Sequence, residues 1–262
     1  MVKNIIVYAI EALCLGIFMV VATLATAAIE LPTSPIYQAI SDPLLRRLLI
    51  GIFVGMTAIS IIYSPWGKRS GAHLNPAVTL TFWRLKKLRT IDAVFYILSQ
   101  CLGGISGMWI AVLLLGKTIA DPAINFIVTV PGVAGKSIAF GAEFLLSLGL
   151  MTLVLQVSNR PRLSQLTGVF SGILVATYIT LEAPLSGMSI NPARSLASAV
   201  PAGIWNGFWI YCIAPPLGML LAAEIYFNSS KNKTKRQICC KLCPNDTTDC
   251  ISPICCQTVN SK

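Results

Sequence analysis

Continuous apolar runs alternate with short polar connections along this chain. Six runs, at residues 5–28, 48–63, 91–115, 137–157, 167–181 and 205–227, approach or exceed the ~20 residues that carry a helix across a ~30 Å hydrocarbon core. They lack the period-two alternation of outer-membrane barrel strands, so the pattern predicts helices. The first run is too long, and its flanks too poor in a cleavage pattern, for a removable signal peptide, so it reads as a retained helix.

Two more segments lie outside the six runs and open on the same triplet: Asn75, Pro76, Ala77 and Asn191, Pro192, Ala193. Asn is a strong N-cap because its side-chain oxygen accepts a free backbone N–H of the first turn. Pro suits the next position, where no N–H is needed. Asn-Pro therefore spells a helix start. Each run that follows is about 8 to 10 residues, or roughly 12 to 15 Å, half of what a bilayer core requires. A helix N-terminus carries about half a positive charge, and an Asn that caps with its oxygen keeps its NH2 group for another partner. Two half-helices entering from opposite faces would bring both features to the middle of the membrane. One triplet alone is an ordinary capped helix; two in matching places are not.

Composition supports this reading. Of 262 residues, 55% are hydrophobic and 11% charged, too apolar for a soluble domain. The net charge of +10 is explained by where it sits. Lys68, Arg69, Arg84, Lys86, Lys87 and Arg89 fall between the second and third runs, Arg160 and Arg162 between the fourth and fifth, and Lys231, Lys233, Lys235, Arg236 and Lys241 after the sixth. The other connections hold only Arg46, Arg47, Lys117 and Lys136, with Arg194 after the second triplet. The positive-inside rule then puts both termini in the cytoplasm. No aromatic-basic motif supports nucleic-acid binding.

The first triplet follows the second run of its half and the second triplet follows the fifth run, so the halves, about 1–120 and 135–228, repeat with inverted orientation. Each half also opens with an acid in its first run, Glu11 and Glu143. Residues 70–79 (SGAHLNPAVT) and 186–195 (SGMSINPARS) resemble the two signature loops of the aquaporin, or major intrinsic protein, family. The resemblance covers residues 5–227. It implies an all-α membrane fold of six transmembrane helices and two re-entrant half-helices, a homotetramer with one pore per subunit, no cofactor, and passive conduction of water or small neutral solutes.

The resemblance also implies residue roles. Asn75 and Asn191 would donate to the permeating oxygen, and Arg194 would form the outer constriction. Arg194 is also a default functional candidate as a charge at hydrocarbon depth with no acid beside it in sequence. Spacing from the triplets puts the remaining constriction positions at Gly55 (or its neighbours Val54 and Met56), Ile179 and Met188. Water-selective members carry a bulky aromatic and a His where this chain has Gly55 and Ile179, so its ring would be wider and more apolar. Ammonia, urea and glycerol become candidate permeants beside water. Ser195, Ala199 and Tyr211 match the water-channel pattern, whereas Cys212 departs from it. Glu11 and Glu143 are candidate acceptors for the backbone of the re-entrant loops, which must be satisfied inside the membrane. A proton relay through them is the alternative, and would suit a coupled transporter. His73 is a pore-lining or loop-bracing candidate, with pH sensing as the alternative. Gly103, Gly104, Gly107, Gly168 and Gly172 predict close helix contacts.

Residues 229–262 form a separate basic tail with six of the nine cysteines. Cys240, Cys243, Cys250 and Cys255 could hold a soft metal, although their spacing matches no firm zinc motif, and a cytoplasmic tail disfavours disulfides. No nucleophile and base pair suggests an enzyme. A passive channel in a cell membrane is the leading reading, with a coupled transporter and a non-conducting scaffold as alternatives. Compact loops lean toward a bacterial inner membrane.

Overall fold

The structure, a computed structural model, describes residues 2–160 and 162–228. The candidate metal ligands Cys240, Cys243, Cys250 and Cys255 lie outside the described residues. The first half comprises α1 (Val2–Glu30), α2 (Pro35–Ala39), α3 (Pro43–Tyr63), α4 (Pro65–Ser70), α5 (Pro76–Arg84) and α6 (Thr90–Leu115). The second comprises α7 (Lys136–Ser158), α8 (Thr167–Ser186), α9 (Pro192–Ala202) and α10 (Phe208–Asn228). α1, α3, α6, α7, α8 and α10 are long and apolar enough to cross a membrane, while α5 and α9 are half-length. The all-α architecture of six spans and two half-helices follows the sequence pattern.

Local chemistry sets many of the helix starts. Ser34, Asp42, Ser64, Asn75 and Asn191 each cap a helix through a side-chain oxygen, and each is followed by Pro at the first helical position. α3 therefore begins at Pro43, five residues before the apolar run, and contains Arg46 and Arg47, which the charge pattern alone assigns to a connection. Arg46 is tolerated because its Nε meets Glu30 at 3.0 Å, its Nη1 donates to Ile40 O and Ser41 O, and its guanidinium lies 4.3 Å from the Tyr37 ring centroid. α8 likewise continues beyond residue 181, through Pro184 to Ser186.

Helix pairing shows the inverted repeat. α1 packs on α6 in the first half and α7 on α10 in the second, while α3 and α8 form the seam between halves. Backbones meet where side chains are absent. A Cβ on Gly103 would lie 2.1 Å from Ala12 O, and one on Gly218 would lie 2.2 Å from Phe144 O. At the seam, Gly55 and Gly172 face each other in the same way. Small residues at such crossings let dispersion act over close backbones where lipid offers no hydrophobic drive. Large apolar side chains such as Leu102, Leu113 and Leu181 remain exposed on the outside, as a lipid-facing surface requires. α5 and α9 touch at the centre of this bundle.

Candidate functional site

The two re-entrant segments are built alike. In residues 70–75 the backbone takes positive φ at Ala72 (45°) and Leu74 (54°), and in residues 186–191 at Met188 (47°) and Ile190 (50°). Side chains rarely adopt this region, so each segment needs outside support. A fully buried carboxylate supplies it. Glu11 accepts from Ser70 Oγ at 2.7 Å, His73 N at 3.0 Å and Leu74 N at 2.7 Å. Glu143 accepts from Ser186 Oγ at 2.7 Å, Ser189 N at 2.7 Å and Ile190 N at 2.6 Å. A tyrosine hydroxyl closes each segment from the long helix after the half-helix, Tyr96 of α6 on Ser70 O at 2.7 Å and Tyr211 of α10 on Ser186 O at 2.6 Å.

The Asn side chains then meet across the centre. Asn75 Oδ1 accepts from Ala77 N, and Asn191 Oδ1 from Ala193 N and Arg194 N. Asn75 Nδ2 donates 2.7 Å to Ile190 O, and Asn191 Nδ2 donates 2.7 Å to Leu74 O, so each amide ties its own helix start to the opposite half. One N–H per amide is used in this way and one remains. Pro76, Ala77 and Ala193 are buried beside these bonds, and Pro192 opens α9.

Both Asn residues line a cavity of ≈ 320 Å³ that runs between the halves. One wall is a helical stripe on α3, Arg47, Ile50, Val54, Ala58 and Ile62; the facing stripe on α8 is Ser171, Val175, Ile179 and Ala183. His73, Met188 and Arg194 also line it. Arg194 Nη1 donates 2.8 Å to Ile127 O, fixing the guanidinium from the 116–135 connection. His73 pairs through Nδ1 with Thr79 Oγ1 at 3.1 Å and packs its ring against Phe82 and Tyr96.

Gly55 needs correction as a constriction residue. It faces α8 rather than the cavity: a Cβ there would lie 2.6 Å from Gly172 O and 3.1 Å from Ala176 Cβ. Successive helical residues point ~100° apart, so when the stripe 50–54–58–62 faces the cavity, residue 55 turns into the seam. Val54 takes the lining position, Met56 is exposed, and Ile179, Met188 and Arg194 share the cavity with it.

Two residues carry weight here that sequence reasoning overlooked. Gln100 on α6 is fully buried, and its Nε2 donates to Glu11 Oε2 at 2.8 Å and Thr79 Oγ1 at 3.1 Å. An amide inside the apolar run 91–115 was a visible signal for it. Arg47, adjacent to Arg46 in sequence, was masked by being counted as a connection charge. Among the described residues, no group of three or more His, Cys, Asp or Glu side chains could hold a metal.

Six spans, two capped half-helices and a cavity at their meeting point define a multi-pass membrane protein with an inverted repeat. The Major intrinsic protein family description matches residues 3–226, and the chain belongs to that family. Aquaporin NIP6-1 from Arabidopsis thaliana is 36% identical over 170 residues, covering 64% of this chain and 54% of that protein. Nodulin-26 from Glycine max is 33% identical over 183 residues, covering 68% of this chain and 64% of its own length. The chain thus spans about half to two thirds of the length of these curated relatives. The fold is similar to the X-ray structure of the aquaglyceroporin from Plasmodium falciparum, with a TM-score of 0.71 at 21% identity, covering 86% of this chain and 96% of that one.

Proposed function

We propose that this chain is a passive channel for water and other small neutral solutes that excludes ions and protons. The observation that carries the reading is the meeting of Asn75 and Asn191, each at a half-helix N-terminus, on one cavity that also holds Arg194. A permeating oxygen can accept the remaining N–H of each amide. A water held by both points its own hydrogens away from the centre, which interrupts a proton wire. A cation meets two positive helix ends and a guanidinium, with no carboxylate exposed to it. Glu11 and Glu143 serve as loop anchors, their oxygens occupied by backbone and hydroxyl donors, which speaks against a proton relay.

The constriction is assigned to Val54, Ile179, Met188 and Arg194. Three aliphatic walls and one guanidinium, without an aromatic, favour a second reading in which glycerol, urea or ammonia passes with little preference for water. The names of the relatives, aquaporin on one side and aquaglyceroporin on the other, divide along the same line. Protein in proteoliposomes should accelerate osmotic shrinkage in stopped-flow light scattering well above empty vesicles. Glycerol uptake with negligible water flux would replace the first reading by the second, and absence of both would end each.

The basic residues that the sequence concentrates between the second and third runs, between the fourth and fifth, and after the sixth support cytoplasmic termini in a plasma or inner membrane. Family membership supports a homotetramer that works without a cofactor.

A further inference from the structure

Arg47 lines the same cavity as Arg194, on the α3 stripe seven residues before Val54. At 1.5 Å per residue that is about 10 Å farther along the helix, toward its N-terminal end and away from the triplets. Its attachment is specific. Thr180 O would ordinarily accept the N–H four residues on, but residue 184 is Pro inside α8 and has no N–H. Arg47 Nε donates to that carbonyl at 3.2 Å instead. Thr180 directly follows Ile179, so the guanidinium is fixed one layer beyond the constriction wall.

A bland account of Arg47 stops at this carbonyl. It accounts for one of five N–H donors, because guanidinium has five and no acceptor of its own. The Nη groups have no acceptor among the described residues, and the side chain is only partly buried, on the cavity wall. Arg194 is built the same way, with one bond to a backbone carbonyl and the other donors left over. The cavity therefore carries two fixed guanidiniums in series on its approach, set among Ile50, Val54, Ile179 and Met188.

We propose that Arg47 is a specificity-determining donor that works with Arg194 to select neutral solutes carrying two or more hydroxyl oxygens, small polyols above all. One hydroxyl engages Arg47 while the next reaches Arg194, and the carbon skeleton lies along the aliphatic wall. Water, with a single oxygen, gains from one guanidinium at a time, so the arrangement favours polyol over water and raises the barrier to cations at the entrance. The inference rests on the conduction reading above.

The test compares glycerol and water permeabilities in proteoliposomes for the wild type, Arg47→Leu, Pro184→Ala and the double variant. Pro184→Ala restores an N–H for Thr180 O, so the double variant keeps the carbonyl satisfied while removing the guanidinium. The expected result is a glycerol-to-water ratio lowered about tenfold in both Arg47 variants, the scale of one lost charge-assisted hydrogen bond, and unchanged in Pro184→Ala. An unchanged ratio in the double variant overturns the proposal and leaves Arg47 as a carbonyl cap. A ratio lowered in Arg47→Leu but restored in the double variant overturns it equally, because the defect would then be local helix distortion. A wild type that conducts neither solute removes the channel reading itself.

Discussion

The two halves of the molecule repeat their backbone supports and differ in what they show the cavity. In each, a buried Glu, a Ser hydroxyl, two backbone N–H groups and a Tyr from the third long helix of that half hold a re-entrant segment. Beyond these, the equivalences fail. Four residues after each capping Asn stands Thr79 or Ser195. Thr79 bonds His73 and Gln100, whereas Ser195 lies in a hydroxyl chain with Ser189 and Thr129, each contact 2.6 Å. Four residues after each Tyr stands Gln100 or Pro215, and only Gln100 can donate to the carboxylate. Three residues after each Asn stands Val78 or Arg194. The scaffold is thus symmetric because both loops face one problem, unsatisfied backbone in a membrane, while the lining is asymmetric because solute meets the halves one after the other.

The largest expected effect tests the supports. Glu11→Ala takes the shared acceptor away from four donor groups, and Glu143→Ala from three. At ~1–3 kcal/mol for each orphaned group, both variants should lose several kcal/mol, and Glu11→Ala about 1–3 kcal/mol more. Thermal unfolding in detergent should rank Glu11→Ala as the less stable. Equal midpoints would mean that Gln100 contributes nothing and that the halves are energetically equivalent.

Arg194→Val gives the second half the residue of the first. Removing the guanidinium takes away the donor that would engage a polyol hydroxyl and opens the wall to water, so the glycerol-to-water ratio should fall several-fold and cation exclusion should weaken. Solute-driven swelling together with a membrane-potential dye would read both. Unchanged selectivity would place discrimination at Asn75 and Asn191, where the halves are alike.

Sequence makes the symmetric part of this picture readable and the asymmetric part hard to read. Asn-Pro states a helix start in two letters, and six apolar runs state six spans, because capping and hydrophobic thickness are local properties. The position of Gly55 was not local. Its spacing from Asn75 depends on how many residues the 64–75 connection uses before the triplet, and α4 occupies that connection with a turn of its own. One residue of slip rotates the side chain by ~100°, enough to exchange cavity for seam. Arg47 was hidden for another reason: its partner is a carbonyl freed by a proline more than a hundred residues away, a relation that exists only once α3 and α8 pack.

The smallest effect concerns Gln100, the support that the first half has alone. Gln100→Leu removes the bonds from Nε2 to Glu11 and Thr79, worth ~1.5–3 kcal/mol where the acceptor is charged. It also removes Oε1, a buried acceptor with no hydrogen-bond partner among the described residues, whose desolvation costs ~1–3 kcal/mol. The two terms oppose each other and leave a net change of about 1 kcal/mol, or ~2–4 °C in an unfolding midpoint for a chain of this size. In that background Glu11 has the same donor set as Glu143, one Ser hydroxyl and two backbone N–H groups. Mutating either carboxylate to Ala should then cost nearly the same, and a gap that persists would locate the asymmetry outside Gln100, in the His73–Thr79 pair.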